Sequence, residues 1–194
     1  GNEEQELADY DALLAMADAP SEQRAQAMVN RGITWGRRGE MEKALADFDA
    51  VIEMKDAPAE QRAKAMFSRG ITWGLDGEAD KALADFDAVI EMADAPAEER
   101  AQALFRRAVT WGRRGEVEKE LADYEAIIAM ADAPAEQRAR ALLSRGSKWG
   151  QRGEVEKALA DYEAVVAIGD APARLRALAL ANRGFGAYQQ GRFE

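Results

Sequence analysis

The fold is decided by residues 25–54, which read AQAMVNRGITWGRRGEMEKALADFDAVIEM. In the first half of this stretch, Ala25, Met28 and Trp35 recur at helical spacing, which places them on one face of a helix. In the second half, the apolar side chains of residues 41–52 form a wider stripe with the same period. The stretch therefore predicts two consecutive amphipathic helices, called helix A and helix B below.

The residues around these two stripes predict where the helices begin and end. Gly39 lies between the stripes, where a residue that tolerates the left-handed conformation can end helix A and reverse the chain. Asp56 and Pro58 predict the start of the next helix A, with the aspartate as its cap and the proline in its first turn. No segment alternates apolar and polar residues as a strand would. The sequence predicts an all-α fold of antiparallel helix pairs.

The pattern repeats along the whole chain of 194 residues. The tripeptide Asp-Ala-Pro returns every 38 residues, and Pro20–Ala57 is identical to Pro58–Ala95 at 29 of 38 positions. Such identity indicates recent duplication or deliberate consensus design. We expect a helix B near Glu3–Ala17, four A/B pairs, and a last helix A near Ala173–Gln190, about ten helices in all.

A pair of helices this short cannot bury its own apolar faces and becomes stable only by stacking on its neighbours. We therefore expect one domain over residues 1–194, without linkers. Its parts are a half repeat at 1–19 (helix B), full repeats at 20–57, 58–95, 96–133 and 134–171, and a half repeat at 172–194 (helix A).

These residues resemble the tetratricopeptide repeat. Gly32 falls on the first glycine of that family's pattern, Trp35 on its inward aromatic residue and Gly39 on its turn glycine, while Ala44 and Phe48 match its small and aromatic positions in helix B. The period of 38 residues departs from the usual length of about 34, and Sel1-like repeats are a minor alternative with a poorer glycine match. The resemblance implies a right-handed superhelical solenoid with a concave groove lined by the A helices.

The groove is the expected binding site for a protein or peptide, because the framework is constant while several helix-A positions vary. The resemblance implies that Asn30 and Asn182 hold a peptide backbone, and that Arg37 and Arg113 clamp a carboxylate. Neutral drift at exposed positions predicts the same variation. The expected groove residues are Gln26, Val29, Asn30, Ile33, Arg37, Lys64, Phe67, Ser68, Ile71, Gln102, Phe105, Arg106, Val109, Arg113, Arg140, Leu143, Ser144, Ser147 and Asn182.

Three further series recur every 38 residues, and we assign them structural roles. The tryptophans are expected to pack between neighbouring pairs, although a ligand-stacking ladder is an alternative. The arginines and aspartates are expected to form ion pairs between helices A and B, although a row of anion sites is an alternative. The series are Trp35, Trp73, Trp111 and Trp149; Arg31, Arg69, Arg107, Arg145 and Arg183; and Asp9, Asp47, Asp85, Asp123 and Asp161.

Charge is segregated between the two helix types. The chain carries 26 Lys and Arg against 36 Asp and Glu, a net charge of −10; the five A segments sum to +14 and the B segments to −24. A basic groove would attract acidic peptides, or the two charges simply neutralise each other across each pair. The acidic balance argues against a nucleic-acid partner, because neutralising phosphates requires a basic footprint.

Composition also excludes most chemistry. The chain has no cysteine and no histidine, so it lacks disulfides, thiol nucleophiles and histidine-based triads. We expect no enzymatic activity, no catalytic residue, no cofactor and no metal site, since the carboxylates repeat on solvated faces. No signal peptide or membrane-spanning stretch is visible, which favours the cytoplasm and predicts no membrane partner.

The repeat register predicts a second function. Helix B of residues 1–19 has no helix A before it, and the last helix A is followed by only four residues, 191–194. We expect a fragment of a longer array, or a chain that assembles head to tail into a homo-oligomer. The alternative to a peptide-binding scaffold is therefore a structural, self-assembling segment.

Overall fold

The computed structural model describes residues 2–189, apart from the side chains of Ala187 and Gln189. These residues form ten α-helices and no strand, so the predicted all-α fold is confirmed. The helices are α1 (Asn2–Ala15), α2 (Ser21–Arg37), α3 (Met41–Glu53), α4 (Ala59–Leu75), α5 (Ala79–Glu91), α6 (Ala97–Arg113), α7 (Val117–Ala129), α8 (Ala135–Gln151), α9 (Val155–Ala167) and α10 (Ala173–Gln189). The first helix ends two residues earlier than predicted, and the predicted end of the last helix at Gln190 lies outside the described residues.

The chain divides into two compact units, Gly1–Ala103 and Leu104–Glu194, and the division falls within α6. In the first unit α2 packs against α3 and α4 against α5, while α1 and α3 pack against the A helices that follow them. In the second unit α8 packs against both α7 and α9, and α10 packs against α8 and α9. Within each unit a B helix therefore packs between two A helices, α3 between α2 and α4 and α9 between α8 and α10.

The turn inside each pair depends on one glycine. Gly39 and its equivalents Gly77, Gly115 and Gly153 have φ between 76° and 84°, in the left-handed region where other residues are strained. The backbone N–H of Glu40 then bonds back to the carbonyl of Trp35 at 2.9 Å. The predicted role of Gly39 is confirmed.

The start of the A helices differs from the prediction. Pro20, Pro58 and Pro134 are themselves the cap residues, with φ near −58° and ψ near 146°, and no side chain caps the helix. The carbonyl of Pro58 accepts the first helical hydrogen bond from Arg62, at 3.0 Å. The expectation that Asp56 caps the helix is wrong, because proline already fixes the backbone conformation that a cap residue adopts. Asp56 lies in the preceding turn.

The core lies between the two helices of each pair. Ala44 and Val51 are fully buried, and Phe48 is 1% exposed. A Cβ on Gly32 would lie only 2.6 Å from Phe48 Cε1, so the aromatic ring occupies the space that a larger residue would need. The same contact recurs in the second unit, where Tyr162 covers Gly146. This close approach sets the distance between helices A and B, and hence which helix-A side chains face outward.

Candidate protein-interaction surface

The A-helix surface is defined here as the accessible side chains of the predicted groove residues. Its most exposed members are Ile33, Arg37, Arg106, Arg113, Arg140 and Ser147. Half-buried members are Gln26, Asn30, Lys64, Phe67, Ser68, Ile71, Gln102, Phe105, Val109, Ser144 and Asn182. These seventeen residues remain candidates for contact with a partner.

Val29 and Leu143 do not belong to this surface. Val29 is 1% exposed and lies in the core cluster with Phe48 and Val51. Leu143 is 7% exposed and lies in the cluster with Tyr162 and Val165. Their prediction as groove residues is corrected, because an apolar side chain at this position gains more from packing on helix B than from facing water.

Most cations of the surface are already paired with acids. Lys64 contacts Glu60 and lies 3.9 Å from Glu99, and Arg140 lies 2.9 Å from Glu136. Arg37 reaches Glu6 at 3.4 Å. Much of the positive charge of the A helices is therefore neutralised within the chain.

Arg106 and Arg113 are the exceptions. Both are exposed, and neither has an acidic partner among residues 2–189. They are seven residues apart on α6, which is two helical turns and returns to the same face. The two guanidinium groups therefore give α6 an exposed positive stripe.

Two phenylalanines of the surface are anchored by aromatic contacts. Phe67 lies 6.0 Å from Phe86 between ring centroids. Phe105 lies 5.6 Å from Tyr124 between ring centroids, with the rings tilted by 53°, a distance at which aromatic rings attract each other. Both phenylalanine side chains are half-buried, so each keeps part of its ring accessible while helix B holds its orientation.

The polar residues expected to hold a peptide backbone already have partners. Asn30 accepts a hydrogen bond from Gln26 at 3.0 Å. Asn182 faces Tyr162, where it opposes the rise in the pKa of that tyrosine that burial causes. A peptide bound to these groups would compete with existing intramolecular bonds.

The arginine and aspartate series pair as predicted in four hairpins. In each, Nε and one terminal nitrogen of the arginine donate to the two carboxylate oxygens of an aspartate sixteen residues later, at 2.6–3.0 Å. The pairs are Arg31 with Asp47, Arg69 with Asp85, Arg107 with Asp123, and Arg145 with Asp161. The fork-to-carboxylate geometry fixes helix A against helix B.

A second acid in this network was missed from the sequence. The free terminal nitrogen of Arg31 donates to Asp11 at 2.6 Å, and that of Arg69 donates to Asp49 at 2.5 Å. These acids lie on the preceding helix B, two positions after the aspartate series. The bond to Asp47, with help from Asp11, raises the pKa of Arg31 above its ordinary value although burial opposes it. The recurring Asp-Phe-Asp and Asp-Tyr-Asp pattern was the available signal.

The tryptophans are covered by cations of helix B. Lys43 Nζ lies 4.3 Å from the centroid of the Trp35 ring, and Lys157 Nζ lies 4.5 Å from Trp149. Lys43 also bonds Glu40, and this bond lowers the pKa of that carboxyl. Trp35 packs against the core cluster that contains Phe48. These contacts favour the packing role over a ligand-stacking ladder.

Known proteins were compared with the whole chain. No family model and no curated protein matches it. Among solved structures, MamA from Desulfovibrio magneticus RS-1 is 19% identical, with 89% of each chain covered and a TM-score of 0.59. A tetratricopeptide repeat protein from Parabacteroides merdae ATCC 43184 is 15% identical, with a TM-score of 0.61. The match covers 99% of the present chain and 75% of the Parabacteroides chain. The fold is tetratricopeptide-like. Likeness at these identities shows the fold alone.

In this tetratricopeptide-like chain, the contact between α7 and α8 differs from the equivalent contacts of the other repeats. Glu120 in α7 replaces the alanine found at positions 44, 82 and 158, and Lys148 in α8 replaces the threonine found at positions 34, 72 and 110. The two charged groups lie 2.9 Å apart, as an ion pair without the angles of a directed hydrogen bond. The Tyr124 hydroxyl donates to Glu120 at 3.4 Å. Sequence reasoning missed this pair, although both departures are visible in the aligned repeats.

The described part of the tetratricopeptide-like chain holds no cluster of acids suited to a metal ion. None of its helices between residues 2 and 189 is long and apolar enough to cross a membrane.

Proposed function

We propose that this protein is a non-enzymatic interaction scaffold that binds an acidic peptide segment on its A-helix surface. The tetratricopeptide-like fold supports a scaffold in general terms. The observation that carries the finer proposal is the exposed pair Arg106 and Arg113, whose charges no acid of residues 2–189 balances. Guanidinium groups are suited to carboxylates because they donate two parallel hydrogen bonds.

The spacing of the two arginines restricts the ligand. Seven residues of α-helix separate their Cα atoms by about 10 Å, which is close to the rise of three residues in a polyproline II chain, where every third side chain returns to the same face. Val109 lies between them on the same face and is half-buried. A matching peptide is therefore extended, with two carboxylates three residues apart and an apolar side chain between them. The second carboxylate can be a side chain or the peptide's own C-terminus.

Fluorescence anisotropy with labelled peptides tests this proposal. One peptide carries glutamates three residues apart around a leucine, and a second has the same composition with adjacent glutamates. The double variant Arg106→Ser, Arg113→Gln carries residues found at the equivalent positions Ser144 and Gln151, so its fold should be retained. We expect it to bind the first peptide at least about tenfold more weakly, as expected when charge-assisted bonds are lost.

Arg140→Gln is the matched control, because Arg140 is already paired with Glu136. It removes one positive charge from an A helix and should change the affinity by less than about twofold. Equal affinity of the original protein for the two peptides, or equal losses in the double variant and the control, would refute the proposal.

The alternative function, a structural segment that self-assembles, is supported by other residues. It depends on α1 and α10 and makes no use of Arg106 or Arg113.

A further inference from the structure

Helix α10 has an exposed face. In the equivalent helices α2, α4 and α8, the same face is covered by a helix B. A Cβ on Gly32, Gly70 or Gly146 would lie 2.6–2.7 Å from an aromatic ring of helix B, whereas nothing lies within 4 Å of one on Gly184. Leu180 is 46% exposed, while its equivalent Leu142 is 5% exposed. Within the described residues, the socket formed by Gly184 and Leu180 is empty.

Arg183 and Asp9, which belong to the arginine and aspartate series, also lack the bidentate pair seen in the hairpins. Arg183 is the equivalent of Arg145, but it has no acidic partner among residues 2–189. Asp9 is the equivalent of Asp161; it is exposed, and its hydrogen bond is with Gln5 on its own helix, at 3.0 Å. By contrast Asp161 is 5% exposed and accepts two bonds from Arg145.

Helix α1 carries the groups that α10 lacks. Asp9 and Tyr10 repeat the Asp161-Tyr162 pair, and Tyr10 is half-buried whereas Tyr162 is 7% exposed. Helix α1 has five acidic residues and no basic one, while α10 has three arginines and no acidic residue. The two helices are therefore complementary in charge, and Tyr10 matches the space beside Gly184.

We propose that α1 of one copy docks on α10 of a second copy. The Asp9 carboxylate of one molecule accepts the bidentate bond from Arg183 of the other, and the Tyr10 ring covers Gly184 as Tyr162 covers Gly146. The surfaces in contact differ, so the association is heterologous, and a pair of molecules joined by one such contact still offers one α1 and one α10 to further copies. This inference is independent of peptide binding at Arg106 and Arg113.

The proposed contact between α1 and α10 differs from the A/B pairs within the chain at one position, near the turn. Near the turn, a Cβ added to Gly36 or Gly150 would lie 4.0 Å from an alanine Cβ of helix B, so the hairpins leave room there for small residues only. The docked helices would instead bring Tyr188 against Glu6, and both side chains are much larger. The helices must separate there, which weakens the contact. Replacing these two residues by smaller ones should therefore strengthen association.

Sedimentation velocity of the 194-residue chain over a wide concentration range tests the proposal. We expect the mean mass to rise with concentration past that of a dimer. Asp9→Arg and Arg183→Asp should each weaken association by about tenfold or more, because like charges then face each other. The double variant should restore it. Glu4→Arg makes the same charge change at a position that stays exposed in every hairpin, and should have little effect.

Steric variants give a second measurement. Gly184→Leu adds a good helix former in open space, so the folded monomer should be retained, but it should prevent docking of Tyr10. The double variant Glu6→Ala, Tyr188→Ala should associate several-fold more tightly than the original chain. A chain that stays monomeric up to millimolar concentration, or oligomers that are indifferent to both the charge exchange and Gly184→Leu, would overturn the proposal.

Discussion

The ammonium group of Lys148 lies 2.9 Å from the buried carboxylate of Glu120. The glutamate side chain is 8% exposed and the lysine side chain 21%, so the two partners differ in how easily they reach water when the other is removed. A lysine can extend its amine to the solvent, whereas the glutamate cannot leave its place beside Tyr124.

This difference predicts unequal costs for the two single substitutions. Lys148→Thr leaves the Glu120 charge buried and should lower the free energy of unfolding by about 2–3 kcal/mol. Glu120→Ala leaves a lysine that can reach water and should cost about 1 kcal/mol. The double variant restores the alanine and threonine of the other repeats and should lie within about 1 kcal/mol of the original protein. Urea denaturation measures all three; a double variant as unstable as Lys148→Thr would contradict this account.

The Arg69 network predicts that its two acids contribute unequally. Arg69→Ala leaves Asp85, which is 5% exposed, without its bidentate partner and should cost about 3 kcal/mol. Asp49→Ala removes the other acid, whose side chain is 50% exposed, and should cost less than about 1 kcal/mol. Thermal denaturation compares the two variants with Arg106→Ser as a control for loss of an unpaired arginine. An unchanged melting temperature in Arg69→Ala would refute a structural role for the pair.

Two glycines of α4 should respond in opposite ways to alanine. At Gly70 the new Cβ would lie 2.7 Å from Phe86 Cε1, so we expect a loss of about 1–2 kcal/mol from crowding. The loss should be near the lower value if α4 and α5 adjust to the added methyl group. Such an adjustment is possible, because Ala108 is buried at the equivalent position. At Gly74 the Cβ would meet Ala82 at 3.9 Å, an ordinary contact, so we expect a gain of about 0.5 kcal/mol from helix propensity. Chemical denaturation of both variants checks the difference in sign.

Tyr124 predicts a loss of stability at high pH. Burial, and then the Glu120 charge, raise the pKa of Tyr124 to about 12, against about 10 in an unfolded chain. Between these two values the folded protein holds a proton that the unfolded chain releases, so stability falls as the pH rises. Tyr124→Phe, which copies Phe48 and Phe86, should reduce this slope. Comparing its phenolate absorbance titration with that of the original chain isolates the Tyr124 midpoint; a midpoint near 10 would contradict the assignment.

The sequence was sufficient for the helix pairs because the repeat supplies several copies of each signal. The glycine at position 39 recurs in every repeat and the apolar stripes recur with few exceptions such as Glu120, so periodicity alone placed the turns and both helix types. The cap at Asp56 was predicted wrongly because aspartate and proline both suit a helix start. Only the backbone shows that Pro58 is the cap.

The interaction surface was less predictable than the fold. Variation at residues 29 and 143 looked like ligand contact, but each side chain packs on helix B, and burial is set by the distance between helices rather than by the sequence pattern. The contact of Arg31 with Asp11 joins helices of different repeats. A search for pairs within one repeat does not find it.

Arg31 and Arg69 each bind acids on two helices, and this affects how repeats can be added to the chain by duplication. Each arginine holds one acid on the helix before it and one on the helix after it, so an in-frame copy of 38 residues would arrive with matching groups at both of its borders. The contact between α7 and α8 is different, because Glu120 and Lys148 form an ion pair for which the other repeats have no matching residues. Gene duplication can therefore add modules ahead of α7 at little cost, but an insertion between α7 and α8 would strand two opposite charges.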